Sequence, residues 1–160
     1  MSVKILSHPG PLGALDIYSD GKALVGLYFP GHAPAPRLSG EKTAVGDKVH
    51  DVLRRQLDAY FTGARKSFDA PIALSGTAFQ NRVWAALQRI AYGDTMSYAA
   101  LAKIVDQPSG VRAVAGAVAR NPISILVPCH RIIGADGGLT GYAGGLERKR
   151  TLLTIEGALL

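Results

Sequence analysis

The chain has 160 residues, enough for one domain or two small ones that share a core, and 48% of them are hydrophobic. No run approaches the ~18 uncharged apolar residues of a membrane span, and a single cysteine excludes an internal disulfide. The net charge is +6. Because the first residues lack the basic-then-apolar pattern of an export signal and a lone thiol suits a reducing compartment, we expect a cytoplasmic location.

Residues 1–75 have the pattern of a small α/β module. Leu15 and Ile17 alternate with polar neighbours, and turn residues follow them. The predicted elements are a strand around 15–17, a strand over 23–29, a helix over 47–61 and a returning strand over 68–74. We find no catalytic constellation here. The histidines of this half lack the spacing of a metal site, so we expect His8, His32 and His50 to be solvated or structural.

Residues 76–160 predict a mainly helical domain. Thr77, Ser97 and Ser109 each stand where they can cap a helix. The predicted helices follow Thr77 as far as about residue 90, and then run over 98–105 and 111–119. The last two are short and are joined by a turn containing Pro and Gly, so residues 97–119 form a helix-turn-helix pattern.

The second helix of this pattern consists almost entirely of small side chains. Small residues permit close approach, either to a neighbouring helix or to a groove of nucleic acid. Arg112 lies in the first turn, where the helix dipole disfavours a cation. This placement suggests that Arg112 reaches outward toward a partner.

The basic residues predict a polyanionic partner. Residues 1–75 carry nine Lys and Arg against seven Asp and Glu, whereas residues 76–160 carry nine against five. No acidic residue lies between Asp106 and Asp136, a window that holds Arg112, Arg120 and Arg131. Such a cationic surface favours nucleic acid; the alternative is a solvated face of an ordinary basic protein.

The single cysteine, Cys129, is followed directly by His130 and Arg131. It is either an inert buried sulfur or a nucleophile. Positive neighbours lower the pKa of a thiol from its usual ~8.5, which favours the nucleophile. An imidazole that accepts the thiol proton is the usual activator. Because neighbouring side chains of a strand point to opposite faces, we expect either a bend at Pro128 or a water that carries the proton to His130.

Three further positions bear on this chemistry. Glu156 follows Leu152 and Leu153 on an apolar helix face, at an end where the dipole opposes a carboxylate, so it needs a donor such as His130, unless the terminus is frayed and solvated. Asn121 precedes a proline and is by default a turn residue. The glycine-rich stretch 134–145 lacks the end of a phosphate loop and predicts a flexible wall of the site, with Tyr142 as its aromatic residue.

These residues resemble the O6-alkylguanine-DNA alkyltransferases, also called methylated-DNA–protein-cysteine methyltransferases. The resemblance covers residues 76–157 in family order, and the N-terminal half is similar only in architecture. The matching segments are Gly76-Thr77-Ala78-Phe79-Gln80, Val83-Trp84, Ser97-Tyr98, Arg112-Ala113-Val114, Asn121-Pro122, Pro128-Cys129-His130-Arg131, Gly141-Tyr142, Gly144-Gly145-Leu146 and Glu156-Gly157.

The resemblance implies an α/β fold of the α+β kind. A ribonuclease-H-like module would span residues 1–75, and a DNA-binding and alkyl-acceptor domain would span 76–160. It also implies direct-reversal repair: the alkyl group of O6-alkylguanine in duplex DNA is transferred irreversibly to Cys129, so each molecule acts once. A duplex base must be flipped before such chemistry.

The resemblance assigns roles to ten positions. Cys129 accepts the alkyl group, His130 acts as base through a water, Glu156 orients it, and Asn121 braces the segment. The other six contact DNA or the damaged base: Tyr98 helps to rotate the nucleotide, Arg112 fills the vacated stack, the carbonyl of Ile132 reads the exocyclic amine, Tyr142 walls the alkyl group, and Arg131 and the backbone N–H of Ala143 complete the set.

Two departures from the family pattern stand out. Ala143 replaces a common serine, so a hydroxyl contact to O6 is lost. Ala91 replaces a common proline, which we expect to be a minor change. The zinc site of some members is not possible with one cysteine, so we expect no metal and no cofactor.

An alternative function is a lesion-binding module of the alkyltransferase-like kind, but such proteins lack the cysteine. A cysteine hydrolase is a weaker option, because no oxyanion hole is visible. We expect a monomer without membrane association. Activity on O4-alkylthymine and cooperativity on DNA stay open.

Overall fold

The structure is a computed structural model that describes residues 2–159. Its elements in chain order are β1 (Lys4–His8), β2 (Leu15–Ser19), β3 (Leu24–Tyr28), β4 (Glu41–Lys42), α1 (Lys48–Phe61), α2 (Ala78–Leu87), β5 (Met96–Ser97), α3 (Tyr98–Ile104), α4 (Val111–Ala119), a 3-10 turn (Cys129–Arg131), β6 (Ile132–Ile133) and α5 (Leu146–Ile155). No helix within residues 2–159 is both long and apolar enough to cross a membrane.

The N-terminal half is a four-stranded sheet covered by α1. The strand order is β3-β2-β1-β4, antiparallel except for β4, which runs parallel to β1. Alternating apolar residues bury one sheet face against α1. Asp47 caps α1, and buried His50 donates from Nε2 to the carbonyls of Lys4 and Ile17, so it is structural as expected.

The returning strand predicted over 68–74 is wrong in extent. Only Ile72 forms a parallel bridge, with Leu24 on the outer edge of β3. The flanking backbone contacts are Leu24 N to Pro71 O at 2.8 Å and Ala73 N to Leu24 O at 2.9 Å. Pro71 has no N–H to donate, which limits a longer ladder.

The caps of the C-terminal helices are partly as predicted. Thr77 and Ser97 cap α2 and α3 through their hydroxyls. Ser109 is not the cap of α4, because Gly110 takes the N-cap position and makes no side-chain bond there. The small residues of α4 serve partly as helix contacts, since Trp84 of α2 donates to the carbonyl of Ala117 at 2.9 Å.

The two halves share one hydrophobic core. One large buried cluster contains apolar side chains of the sheet, α1, α2, α3, α4 and α5. The backbone joins the halves as well: Leu27 of β3 donates to Pro122 O at 2.8 Å and accepts from Ser124 N at 2.9 Å. The sheet edge therefore positions the segment that leads to Cys129.

Candidate active site

Cys129 opens the 3-10 turn and is only 4% exposed. Asn121, also buried, fixes the segment before it by donating from Nδ2 to Val127 O at 2.7 Å and to Cys129 Sγ at 3.2 Å. Its Oδ1 accepts from Ile123 N at 3.0 Å. Within this segment Ile125 has a φ of 72°, a strained conformation for a β-branched residue. The surrounding bonds thus hold the sulfur in one place.

Behind the sulfur lies a buried charge cluster centred on Glu156. Its Oε2 accepts from His130 Nε2 at 2.8 Å, Arg131 Nη2 at 3.0 Å and Tyr60 Oη at 2.6 Å, and its Oε1 accepts from Arg131 Nε at 2.8 Å. Arg131 Nη1 also donates to Ile90 O at 2.6 Å. The structure therefore brings Glu156 and His130 together, and the C-terminal segment at Glu156 is buried rather than frayed.

Arg131 does not lie on the cationic surface predicted for it. Its side chain is buried, and Nε, Nη1 and Nη2 are all committed to Glu156 and Ile90. A buried carboxylate requires such donors. The placement of Arg131 among residues that contact DNA or the damaged base is corrected accordingly: it neutralises Glu156.

The charge states of the cluster follow from its contacts. Burial alone raises the pKa of Glu156, but hydrogen bonds from His130 and Arg131 outweigh it and lower that pKa to about 2. Burial lowers the pKa of His130 below its usual range, although Glu156 opposes this. His130 is therefore neutral at rest, and its Nε2 carries the proton that faces the carboxylate. The other ring nitrogen, Nδ1, is buried and has no hydrogen-bond partner within residues 2–159.

The expected lowering of the Cys129 pKa is wrong. Burial raises the pKa of this thiol, and the hydrogen bond from Asn121 and the charge of Lys149 only partly offset that rise. The expectation rested on two positive charges next to the sulfur in sequence, those of His130 and Arg131. In the structure Arg131 is neutralised by Glu156 and His130 is uncharged, so neither supplies the field that was expected.

Lys149 is a feature of the site that the sequence analysis missed. It is fully buried, and Nζ donates to the carbonyls of Thr140 and Gly141 at 2.8 and 3.3 Å. Burial lowers its pKa to about 8, while the nearby Cys129 raises it. A signal was available: Lys149 stands seven residues before Glu156, on the same apolar face of α5.

A cavity of about 300 Å³ opens onto the sulfur, at the small end of the range for ligand sites. Its lining residues are Ala33, Tyr98, Ala115, Val118, Ala119, Cys129, Gly141, Tyr142 and Ala143. A larger groove of about 790 Å³ lies elsewhere, between the 34–38 loop and Trp84, and Cys129 does not line it. We assign the chemistry to the smaller cavity because it contains the thiol.

Helix α4 lines part of this cavity. Ala115 and Ala119 line it, and Arg112 lies three and seven residues before them, on the same helix face. Arg112 is exposed, one turn toward the helix N-terminus. It therefore lies one turn beyond the residues of α4 that line the cavity.

The glycine-rich loop closes the opposite side. Tyr142 packs edge-on against Phe29, with ring centroids 6.5 Å apart, and its buried Oη has no hydrogen-bond partner in the described part of the chain. Burial raises the pKa of Tyr142 far above its usual value. Ala143 lines the cavity and its carbonyl accepts from Ala33 N at 3.0 Å.

The remaining predicted residues lie beside the sulfur. Tyr98, the first residue of α3, lines the cavity, and burial raises its pKa. Ile132 is fully buried in β6, and its N–H donates to the carbonyl of Cys129. Among the residues that the structure describes, the histidine, cysteine and acidic side chains form no group of three that could hold a metal ion.

Comparison with known protein families gives a match in each half. Residues 78–158 match the family described as 6-O-methylguanine DNA methyltransferase, DNA binding domain. Residues 9–74 match the family described as 6-O-methylguanine DNA methyltransferase, ribonuclease-like domain. The resemblance and the fold class inferred from the sequence are confirmed.

Individual relatives agree over nearly the whole chain. The methylated-DNA–protein-cysteine methyltransferase of Haemophilus influenzae is 43% identical over 152 residues, covering 93% of this chain and 83% of the relative. That of Mycobacterium leprae is 45% identical over 153 residues, covering 94% and 90%. A crystal structure of Mycobacterium tuberculosis OGT in complex with DNA matches with a TM-score of 0.88 at 40% identity, covering 97% and 93%.

The architecture, the braced thiol and these matches in both halves lead to one assignment. The chain belongs to the 6-O-methylguanine DNA methyltransferase family, whose enzymes repair DNA by direct reversal.

Proposed function

We propose that this chain transfers the alkyl group of O6-alkylguanine in duplex DNA to Cys129 in a single irreversible event. The observation that carries the proposal is the placement of Cys129. Its sulfur accepts a hydrogen bond from Asn121 and faces a small cavity that a single base can enter. The family membership supplies the reaction type.

The transfer balances without a cofactor. The thiol proton passes through a water to Nδ1 of His130, the ring nitrogen that Glu156 leaves unoccupied. The thiolate attacks the alkyl carbon; the S–C bond forms while the C–O6 bond breaks, and its electron pair stays on guanine. A proton returned to the base completes the products, an S-alkylcysteine and an unmodified guanine. The hydroxyl of Tyr98 donates to the base as charge develops there.

Access requires that the damaged nucleotide leave the duplex. A base inside the stack cannot reach a buried sulfur, and flipping costs least where pairing is already weakened. We assign the DNA contact to α3 and α4, with Arg112 of α4 entering the vacated stack. The carbonyls of Cys129 and Ile132 accept hydrogen bonds from the exocyclic amine. Tyr142 packs against the alkyl group, and the Ala143 N–H donates to O6.

The remaining proposals concern the protein as a whole. We infer that residues 1–75 and 76–160 divide the labour, the second part carrying both DNA binding and alkyl acceptance. We propose that the chain acts as a monomer, in the cytoplasm, where its thiol stays reduced. The lesion-binding alternative gives no role to the sulfur that Asn121 holds at the cavity, so we do not favour it.

Intact mass measurement tests the proposal. After mixing with duplex DNA that contains O6-methylguanine, we expect one added methyl group per chain, on Cys129, and no further turnover. Cys129→Ser is the control and should bind the lesion without gaining mass. Binding by the parent protein without a mass change would instead favour the lesion-binding module.

A further inference from the structure

Tyr60 is a buried tyrosine of the N-terminal half whose hydroxyl enters the charge cluster. It lies on α1 and is fully buried. Its Oη donates to Glu156 Oε2 at 2.6 Å, across 96 positions of sequence. Its ring packs against aromatic neighbours, with centroid distances of 5.5 Å to Phe61, 5.5 Å to Phe68 and 6.3 Å to Tyr92. The ring therefore holds the hydroxyl in a fixed position.

The oxygen that Tyr60 contacts is the one that holds His130. Oε2 of Glu156 accepts from Tyr60 Oη, His130 Nε2 and Arg131 Nη2, whereas Oε1 accepts from Arg131 Nε. These three donors share the charge of one carboxylate oxygen, so the bond from Tyr60 weakens the pull of that oxygen on His130. Within residues 2–159, Tyr60 is the donor to this carboxylate that comes from the N-terminal half.

We propose that Tyr60 is a positioning residue of the transfer reaction, through which the N-terminal module fixes Glu156 and moderates its pull on His130. The inference rests on the proposed function, because it takes His130 to be the base. It makes the sheet module part of the reaction apparatus rather than only a partner in the core. The Glu156 carboxylate fixes the orientation of the His130 ring through Nε2, and the Tyr60 hydroxyl fixes the position of that carboxylate.

The consequence is a defined pH dependence. Without the Tyr60 hydroxyl, Oε2 attracts the imidazolium more strongly, so the pKa of His130 rises and less neutral imidazole is present at a given pH. The groups that face the hydrogen-bonded set of Tyr60, Glu156 and His130 are Tyr92 after α2, Arg131 from the 3-10 turn, Tyr142 from the glycine-rich loop and Lys149 from α5. The test variant below alters only Tyr60 among these groups, and its control alters only Tyr92.

The test is Tyr60→Phe in the full chain, with Tyr92→Phe as matched control. The Tyr92 hydroxyl donates to the carbonyl of Ile155, one residue before Glu156, at 3.1 Å, and not to the carboxylate. The single-turnover rate on duplex containing O6-methylguanine is measured against pH. We expect Tyr60→Phe to slow transfer about tenfold and to move the acid limb to higher pH. Tyr92→Phe should leave the limb in place, although both variants lower Tm.

A second substitution covers the case in which Tyr60→Phe does not fold. Replacing Tyr60 by 3-fluorotyrosine keeps the shape and makes the hydroxyl a stronger donor, so the acid limb should move to lower pH. A limb that stays in place with fluorotyrosine, or with a folded Tyr60→Phe, overturns the proposal and leaves Tyr60 a structural residue. Absence of any thioether in the parent protein would defeat the proposed function instead, which keeps the two failures distinct.

Discussion

Cys129 lies in surroundings that disfavour its own thiolate. Burial raises the pKa of the thiol, and the groups that favour the anion, chiefly Asn121 and Lys149, do not fully offset that rise. Arg131 contributes little because Glu156 neutralises it. At the residue scale, reactivity must therefore come from deprotonation of the thiol by His130 when the substrate is bound, rather than from a thiolate that is already present.

This charge state predicts how the free protein reacts with a small reagent. Without DNA, alkylation of Cys129 by iodoacetamide should be slow near neutral pH and should accelerate as pH rises, because only the thiolate attacks. The midpoint should lie at higher pH in the folded protein than in protein unfolded by urea, whose thiol titrates normally. Equal midpoints, or a lower one in the folded state, would contradict the burial argument.

The residues found from the sequence are those whose chemistry is out of place locally. Two examples are Cys129 beside His130 and Glu156 on an apolar helix face. Each is unusual within a short stretch of sequence, so each can be noticed without knowledge of the fold. Tyr60 gave no such signal, since its partner lies 96 residues away. Arg131 was placed wrongly for the same reason. Its positive charge is visible in the sequence, but its pairing with the distant carboxylate of Glu156 is not.

At the scale of elements, the loop between β6 and α5 depends on one glycine to place Tyr142. A Cβ on Gly144 would lie 2.7 Å from Tyr142 Cε2 and 3.0 Å from Phe29 Cδ2. Phe29 is buried and Tyr142 is partly buried against the core, so neither ring can move away easily. Gly144 thus permits the contact that seats Tyr142 over the sulfur.

We expect Gly144→Ala to displace Tyr142 and to slow methyl transfer about tenfold or more, by loss of positioning. The measurement is the single-turnover rate, accompanied by Tm. Gly10→Ala is the control, because a Cβ there meets only ordinary contacts, the nearest being Gly13 O at 3.5 Å. A parental rate in Gly144→Ala would show that Tyr142 does not need this seat.

The elements that the sequence predicted well are those with local start signals. Thr77 and Ser97 cap their helices through hydroxyls that accept from nearby backbone N–H groups. Ser109 has the same chemistry but lies one residue too early, and nothing in the local sequence separates it from Gly110. The strand over 68–74 failed because strand pairing is set by a distant partner, which here offers one residue, Leu24.

At the scale of the whole molecule, the Glu156 cluster links stability to acidity. The folded state lowers the pKa of Glu156 to about 2, whereas an unfolded Glu titrates near ~4.3. The folded state therefore binds fewer protons than the unfolded chain between these values, and stability is lost as pH falls through that window. The contribution at neutral pH is on the order of 3 kcal/mol.

Urea unfolding between about pH 5 and pH 2 measures this loss. Glu156→Gln is the comparison: it should be less stable at neutral pH and should depend less steeply on acid, because its amide does not titrate. Other carboxylates with lowered pKa values, among them Asp47 and Asp20, remain in both proteins and cancel. Parallel slopes for the two proteins would place the acid sensitivity elsewhere.

The outer side of β3 has a consequence for any attempt to divide the chain. The N–H and C=O groups of Leu27 that face away from the sheet bond to Pro122 and Ser124. The segment that leads to the nucleophile therefore also covers a sheet edge. A fragment ending near residue 75 would uncover that rim and offer a template for strand addition by another copy. Residues 76–160 therefore protect the N-terminal sheet against aggregation. We expect the isolated N-terminal half to aggregate more readily than the whole chain.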